Sequence, residues 1–201
     1  MTPRSPSAMT SVFWGASGLS TVSLAAYSVW AFLRNPPGGE LGLYALIAAV
    51  YLGGSGLVLS GLLQGERRVV RFYAFFLPAF VLYAVAWTAA WFGLGGKAGE
   101  WVGGLLGTQL FAGVVWWSLR RPSGFWRAAL VLFALHSVGY FAGGLVFGRL
   151  LLSGVPGWAP ETVLTVAKLA WGFLHGLGFG AGLGWILAAW QQGDPVVEST
   201  R

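Results

Sequence analysis

Two histidines are the side chains of this sequence best suited to chemistry. His136 and His175 are the only histidines present, and each falls near the centre of a long apolar stretch. An imidazole offers one donor and one acceptor and changes charge near neutral pH. An ionisable group inside an apolar span is costly, and is often functional for that reason. His136 lies about ten residues after the start of its stretch, and His175 about fifteen before the end of its own. At roughly 1.5 Å of rise per helical residue, their depths agree to within a turn or two. Four readings follow. The pair could be axial ligands of a b-type haem between two helices. It could be part of a proton or cation path. It could hold a transition metal, although no Cys and no mid-stretch Asp or Glu completes a coordination shell. It could also be two neutral rings bonded to carbonyls or hydroxyls across a bundle.

Helical spacing adds neighbours to each ring. Tyr140, Gly143 and Phe147 share a face with His136, and Lys168, Trp171, Gly178 and Gly182 share one with His175. Tyr140, Lys168 and Trp171 are therefore expected along any substrate path. Lys168 sits about a turn inside its stretch, where its ammonium can snorkel to the headgroups or face an anionic ligand. No mid-stretch carboxylate pair and no nucleophile with its base is visible, so the reading leans away from an enzyme and assigns no catalytic residue. Gly15-Ala16-Ser17-Gly18 and Gly53-Gly54-Ser55-Gly56 resemble the nucleophile string of rhomboid proteases. They fall in the first two stretches, however, which does not match that family's order. Leu174-His175-Gly176-Leu177-Gly178-Phe179 resembles a short stretch of nickel-permease-type accessory proteins. It covers one helix only. The family's acidic and second histidine motifs are missing, so no function is carried over.

The elements that must position these residues are set by charge distribution. Of 201 residues, 56% are hydrophobic and only 9% charged, against about 25% charged in soluble domains. Almost all of the charges cluster between six apolar stretches, at 11–33, 41–63, 72–96, 101–119, 126–148 and 162–190. Each is roughly 19 to 29 residues long, enough for one helix to cross a bilayer with some tilt. The expected fold is an all-α polytopic membrane bundle of six transmembrane helices, forming a single membrane domain over 1–201. The first stretch is long and interrupted by Gly15, Ser17 and Gly18, so a retained helix is expected rather than a cleaved leader. With no cysteine, disulfides and thiolate sites are excluded.

Basic residues choose the direction. Arg4, Arg67, Arg68, Arg71, Arg120, Arg121, Arg127 and Arg201 fall on one side. Arg34, Lys97, Arg149 and Lys168 fall on the other. Eight against four places both termini in the cytoplasm of an inner-membrane protein. The net charge of +6 is then a topology signal. It does not point to nucleic acid, since no domain presents a basic face. The expected partner is the lipid bilayer, with other membrane subunits or a second copy of the chain. Trp14, Trp30, Trp91, Trp101, Trp116, Trp117, Trp126 and Trp190 fall near stretch ends, as an interfacial belt requires. Trp87, Trp171 and Trp185 sit deeper.

The two halves resemble each other. Residues 24–34 lie over 110–120, with Trp30 on Trp116 and Arg34 on Arg120. Tyr51 and Gly54 lie over Tyr140 and Gly143, and Phe76-Leu77-Pro78 lies over Phe173-Leu174-His175. Three spans per unit is an odd number, so units 11–96 and 101–190 would enter the membrane in opposite senses. That is the 3+3 inverted-topology repeat of many transporters, whose sites lie near mid-membrane at the repeat interface. Ile47 and Pro78 stand where the second unit has its histidines, so any chemistry belongs to the second half. Gly172, Gly176, Gly180 and Gly184 form a ladder at spacing four for close helix packing, and Pro78 is expected to kink the third helix. Two function classes remain in contention: a small transporter or channel-like protein (or a subunit of one), and a haem-b electron-transfer or assembly subunit.

Overall fold

A computed structural model of the chain describes residues 7–119 and 124–191. These form six α-helices: α1 (Ala8–Phe32), α2 (Gly39–Leu59), α3 (Arg68–Leu94), α4 (Gly96–Ser118), α5 (Phe125–Ser153) and α6 (Pro160–Gln191). A 3-10 turn at Ser60–Leu62 extends α2. Arg4, Arg120, Arg121 and Arg201 lie outside the described residues. The helices run past the apolar stretches at most ends, so α3 starts at Arg68 and α6 at Pro160. Backbone groups that lipid cannot satisfy must bond within the helix, which favours carrying it through the headgroup zone.

Four helices are long and apolar enough to cross a membrane on their own composition: α2 with its 3-10 extension, α3, α5 and α6. α1 and α4 are 25 and 23 residues long but more polar. α1 carries five serines within 18 residues (Ser11, Ser17, Ser20, Ser23 and Ser28), and α4 carries Lys97, Glu100, Thr108 and Gln109. Several of these turn inward, with Ser11, Ser20, Ser23 and Thr108 all buried. The outer surface is apolar instead: Leu57, Val85, Phe92, Val138 and Leu152 are all more than half exposed. A surface of that kind belongs in lipid.

α6 is the hub. It packs along α1 on one side and α5 on the other, while α3 packs along α4. α1 also meets α2, α4 meets α5, and α2 meets α3 only thinly. The order around the bundle is therefore α2, α1, α6, α5, α4, α3. Small residues allow the close pairs. Gly184, Gly180 and Gly176 lie against the α1 backbone at Ser11, Gly15 and Leu19–Ser20 in turn. Gly178 and Gly139 meet across α5 and α6, and Gly99, Gly103 and Gly107 take Trp91, Trp87 and Tyr83 of α3. In each pair one number rises as the other falls, so the helices are antiparallel.

α3 and α4 are joined by Gly95 alone, with Gly95 and Gly96 both in positive-φ backbone (65° and 48°). Such a reversal favours glycine, because a Cβ clashes there. α3 runs unbroken through Pro78, which faces outward. The bundle thus has two ends. One, the terminal face, carries the start of α1, the end of α6 and the α2–α3 and α4–α5 connections. The other, the hairpin face, carries the α1–α2, α3–α4 and α5–α6 connections. Trp14, Trp117 and Trp126 are exposed near the first, and Trp101 and Trp158 near the second, as belts at two interfaces require.

Candidate functional site

The two histidine rings meet. His136 of α5 and His175 of α6 lie edge to face with centroids 5.4 Å apart. Gly139 and Gly178, one turn from each ring, let the two backbones approach closely enough for this. α4 makes room for His136 by presenting Gly104 beside it. α3 supplies the partner: the Tyr83 hydroxyl and His136 Nε2 share a 2.8 Å hydrogen bond. Phe179, one turn beyond His175, packs on His136, His175 and Tyr83 with centroids 5.5, 6.1 and 5.6 Å away. His136 Nδ1 and both nitrogens of His175 are buried without a hydrogen-bond partner. Buried polar atoms are nearly always paired, so three unpartnered nitrogens on two adjacent rings make this pair the candidate site.

Toward the hairpin face α1, α2, α3, α5 and α6 line a half-open cavity of about 300 Å³. α1 contributes Tyr27 and Trp30, α2 Tyr44 and Ile47, α3 Trp87, α5 Tyr140 and α6 Trp171. The Tyr140 ring separates this space from the histidines, stacking on His136 at 5.9 Å and meeting His175 at 6.1 Å. The cavity exists because α2 and α3 splay. Nearer the terminal face they are tied, with the Tyr73 hydroxyl donating to the Gly53 carbonyl and Tyr51 packing on Phe80 at 5.2 Å. Past that contact, Tyr44 and Ile47 stand off from Trp87 with the cavity between them.

Toward the terminal face the interior is shut. Phe72, Phe76, Phe111 and Phe179 are fully buried and form a continuous plug, with centroid spacings of 4.7, 5.7 and 5.2 Å along the chain of contacts. Behind it the Gln191 side chain bridges to the α2–α3 connection. Its Nε2 donates to the Leu62 carbonyl at 2.9 Å, and its Oε1 accepts from the Gln64 N–H at 2.8 Å. Arg71 Nη1 donates to the Gln64 carbonyl at 2.8 Å from the other side.

Of the residues singled out by spacing, His136, His175, Tyr140 and Trp171 come together. Lys168 stands beside them in a different role. Its Nζ donates to the Trp30 carbonyl at 3.1 Å and lies 4.4 Å from the Trp30 ring centroid. It thereby satisfies the end of α1, which has no basic residue in its own last turn. Tyr27, Tyr44, Tyr83 and Gln191 are unmarked by spacing. A tyrosine at mid-span, four residues before Trp87 on one helical face, was the available signal for Tyr83. Among the described residues no three His, Cys, Asp or Glu side chains gather as a metal site. Comparison of the chain with protein-family models, curated proteins and solved structures gave no match.

Proposed function

We propose that this chain is a small transporter or channel-like protein of the inner membrane, or the membrane subunit of one. In this reading all six helices cross the bilayer and both termini lie in the cytoplasm. The observation that carries it is the one-sided interior: an aromatic cavity toward the hairpin face, a polar centre at His136, His175 and Tyr83, and a phenylalanine plug toward the terminal face. That is the shape of a solute path closed at one end. Tyr140 and Trp171 line it, and Lys168 flanks it. α1 and α4 complete the span count because Ser11, Ser20, Ser23 and Thr108 are turned into the bundle.

The inverted repeat is supported by how the helices pair. Exchanging the two units (α1 with α4, α2 with α5, α3 with α6) turns the α1–α6 contact into the α4–α3 contact and α1–α2 into α4–α5, and all four are present. The extensive α5–α6 contact has only the thin α2–α3 contact as counterpart, and the cavity lies at that weaker seam. Alternating access in such folds moves one unit against the other about a central site.

The chain's lack of cysteine makes the test clean. Single cysteines at Ile47, on the cavity wall, and Ala112, fully buried beside the plug, are reacted with an impermeant maleimide in oriented vesicles. Ile47→Cys should label from the hairpin side. Ala112→Cys should label from the terminal side in a state that protects Ile47→Cys. Permanent protection of Ala112→Cys from both sides would sink alternating access.

The second reading, a haem-b subunit, is favoured by the adjacency of the two rings and their unpartnered nitrogens. Bis-histidine ligation would require His136 to exchange its Tyr83 bond for iron, and Phe179 to give way to the macrocycle. A visible spectrum before and after dithionite tests it. Absence of a Soret band after haem-replete expression removes this reading and leaves the first intact.

A further inference from the structure

We infer that the cavity is a binding site for a small alkylammonium ion. This deepens the transport reading, from which it takes the premise that a solute rests in the cavity. Its lining is aromatic but for one residue, with Tyr27, Trp30, Tyr44, Trp87, Tyr140 and Trp171 drawn from five helices. A ring face carries negative quadrupole density, and several rings around one desolvated space attract a cation whose own shell is apolar. Aliphatic lining would serve a neutral apolar solute as well, but Ile47 is the single aliphatic residue of the wall.

Among the described residues no basic side chain is part of the cavity lining itself. A carboxylate stands at the rim, where the Tyr44 hydroxyl donates to Glu40 Oε1 at 3.2 Å. The protein already seats an ammonium here: Lys168 Nζ rests over the Trp30 ring and on its carbonyl. That tethered cation occupies one ring and leaves the others to a ligand. At about 300 Å³ the space is at the small end of ligand pockets, which limits the guest to a compact head such as a trimethylammonium group.

The test uses the full chain in mild detergent and the emission of its own tryptophans. Choline is titrated against 3,3-dimethyl-1-butanol, which has the same shape without the charge. Choline should give a saturable change and bind at least roughly tenfold more tightly than the alcohol. Tyr44 is 60% exposed at the rim, so Tyr44→Leu should fold; it should weaken choline by about fivefold, while Tyr44→Phe stays within about twofold. Trp87→Leu should cost more. Equal binding of the alcohol, indifference to Tyr44→Leu, or no saturable response to choline would each overturn the inference. Equilibrium binding needs no translocation and the maleimide experiment needs no ligand, so either idea can fail alone.

Discussion

At the scale of single residues, the informative contrast is between the two histidines. His136 has earned structural company: Tyr83 bonds it, and Gly104 gives it space. His175 has neither nitrogen partnered. Polar side-chain bonds between membrane helices average about 0.6 kcal/mol and reach about 1.7, less than buried bonds in water-soluble cores. Tyr83→Phe should therefore lower stability by about 1 kcal/mol, read as a shift in the unfolding midpoint in mixed micelles. His175→Phe removes two unsatisfied polar atoms and keeps a flat ring beside Phe179, so the midpoint should stay level or rise while, on the transport reading, transport is lost. A fall as large as that of Tyr83→Phe would mean that His175 has a structural bond, and would take it out of the site. The similar depth of the two rings could be read from the sequence, because counting residues along two helices gives depth; their contact could not, because it depends on how each helix is rotated. The Tyr83 bond could not, because it depends on how α3 is rotated about its axis, which packing against α4 decides.

At the scale of helices, glycine placement rather than apolarity distinguishes the contacts. A Cβ at Gly180 would run into the Gly15 carbonyl, and one at Gly176 into the backbone of Ser20, whereas one at Gly144 or Gly148 would meet nothing within 4 Å. Gly180→Leu should force α1 off α6 and destabilise the bundle by about 1–3 kcal/mol or more. Gly144→Ala should be neutral or stabilise by up to about 1 kcal/mol, since it only improves helix propensity. Comparing the two midpoints in one detergent separates packing from propensity; equal effects would refute the close α1–α6 seam. The ladder at Gly172, Gly176, Gly180 and Gly184 was legible as a packing face, because spacing four repeats on one side of a helix. That its partner would be α1, a helix distant in sequence, was not. Nor was the single-residue reversal at Gly95, since an apolar run marks where a helix is buried and not where its backbone ends. The cavity was equally hidden, because it is made by the divergence of α2 from α3, and neither helix marks that divergence in its own residues.

At the scale of the molecule, charge and shape bear on one question, which is how the chain sits in its bilayer. The four helices apolar enough to cross alone are joined by α1 and α4, which bury Ser11, Ser20, Ser23, Thr108 and most of their glycines against neighbours. A helix of that kind enters lipid at little cost only once it has packed, so the proposed six-span arrangement requires the bundle. The proposed direction depends on the arginines of the terminal face. Among the described residues these are Arg67, Arg68, Arg71 and Arg127, against Arg34, Lys97, Arg149 and Lys168 on the other side. The two sets are equal in number. The bias therefore rests on the four further arginines at 4, 120, 121 and 201, all assigned by sequence to the terminal side. Orientation should accordingly be sensitive to the α4–α5 connection. A periplasmic reporter inserted in segment 35–39 should be active, and one inserted after Gly65 silent. Replacing Arg120 and Arg121 together with glutamine should raise the inverted population, seen as new activity from the reporter after Gly65. Activity at that site in the unmodified chain would reverse the orientation and put the aromatic cavity on the cytoplasmic side.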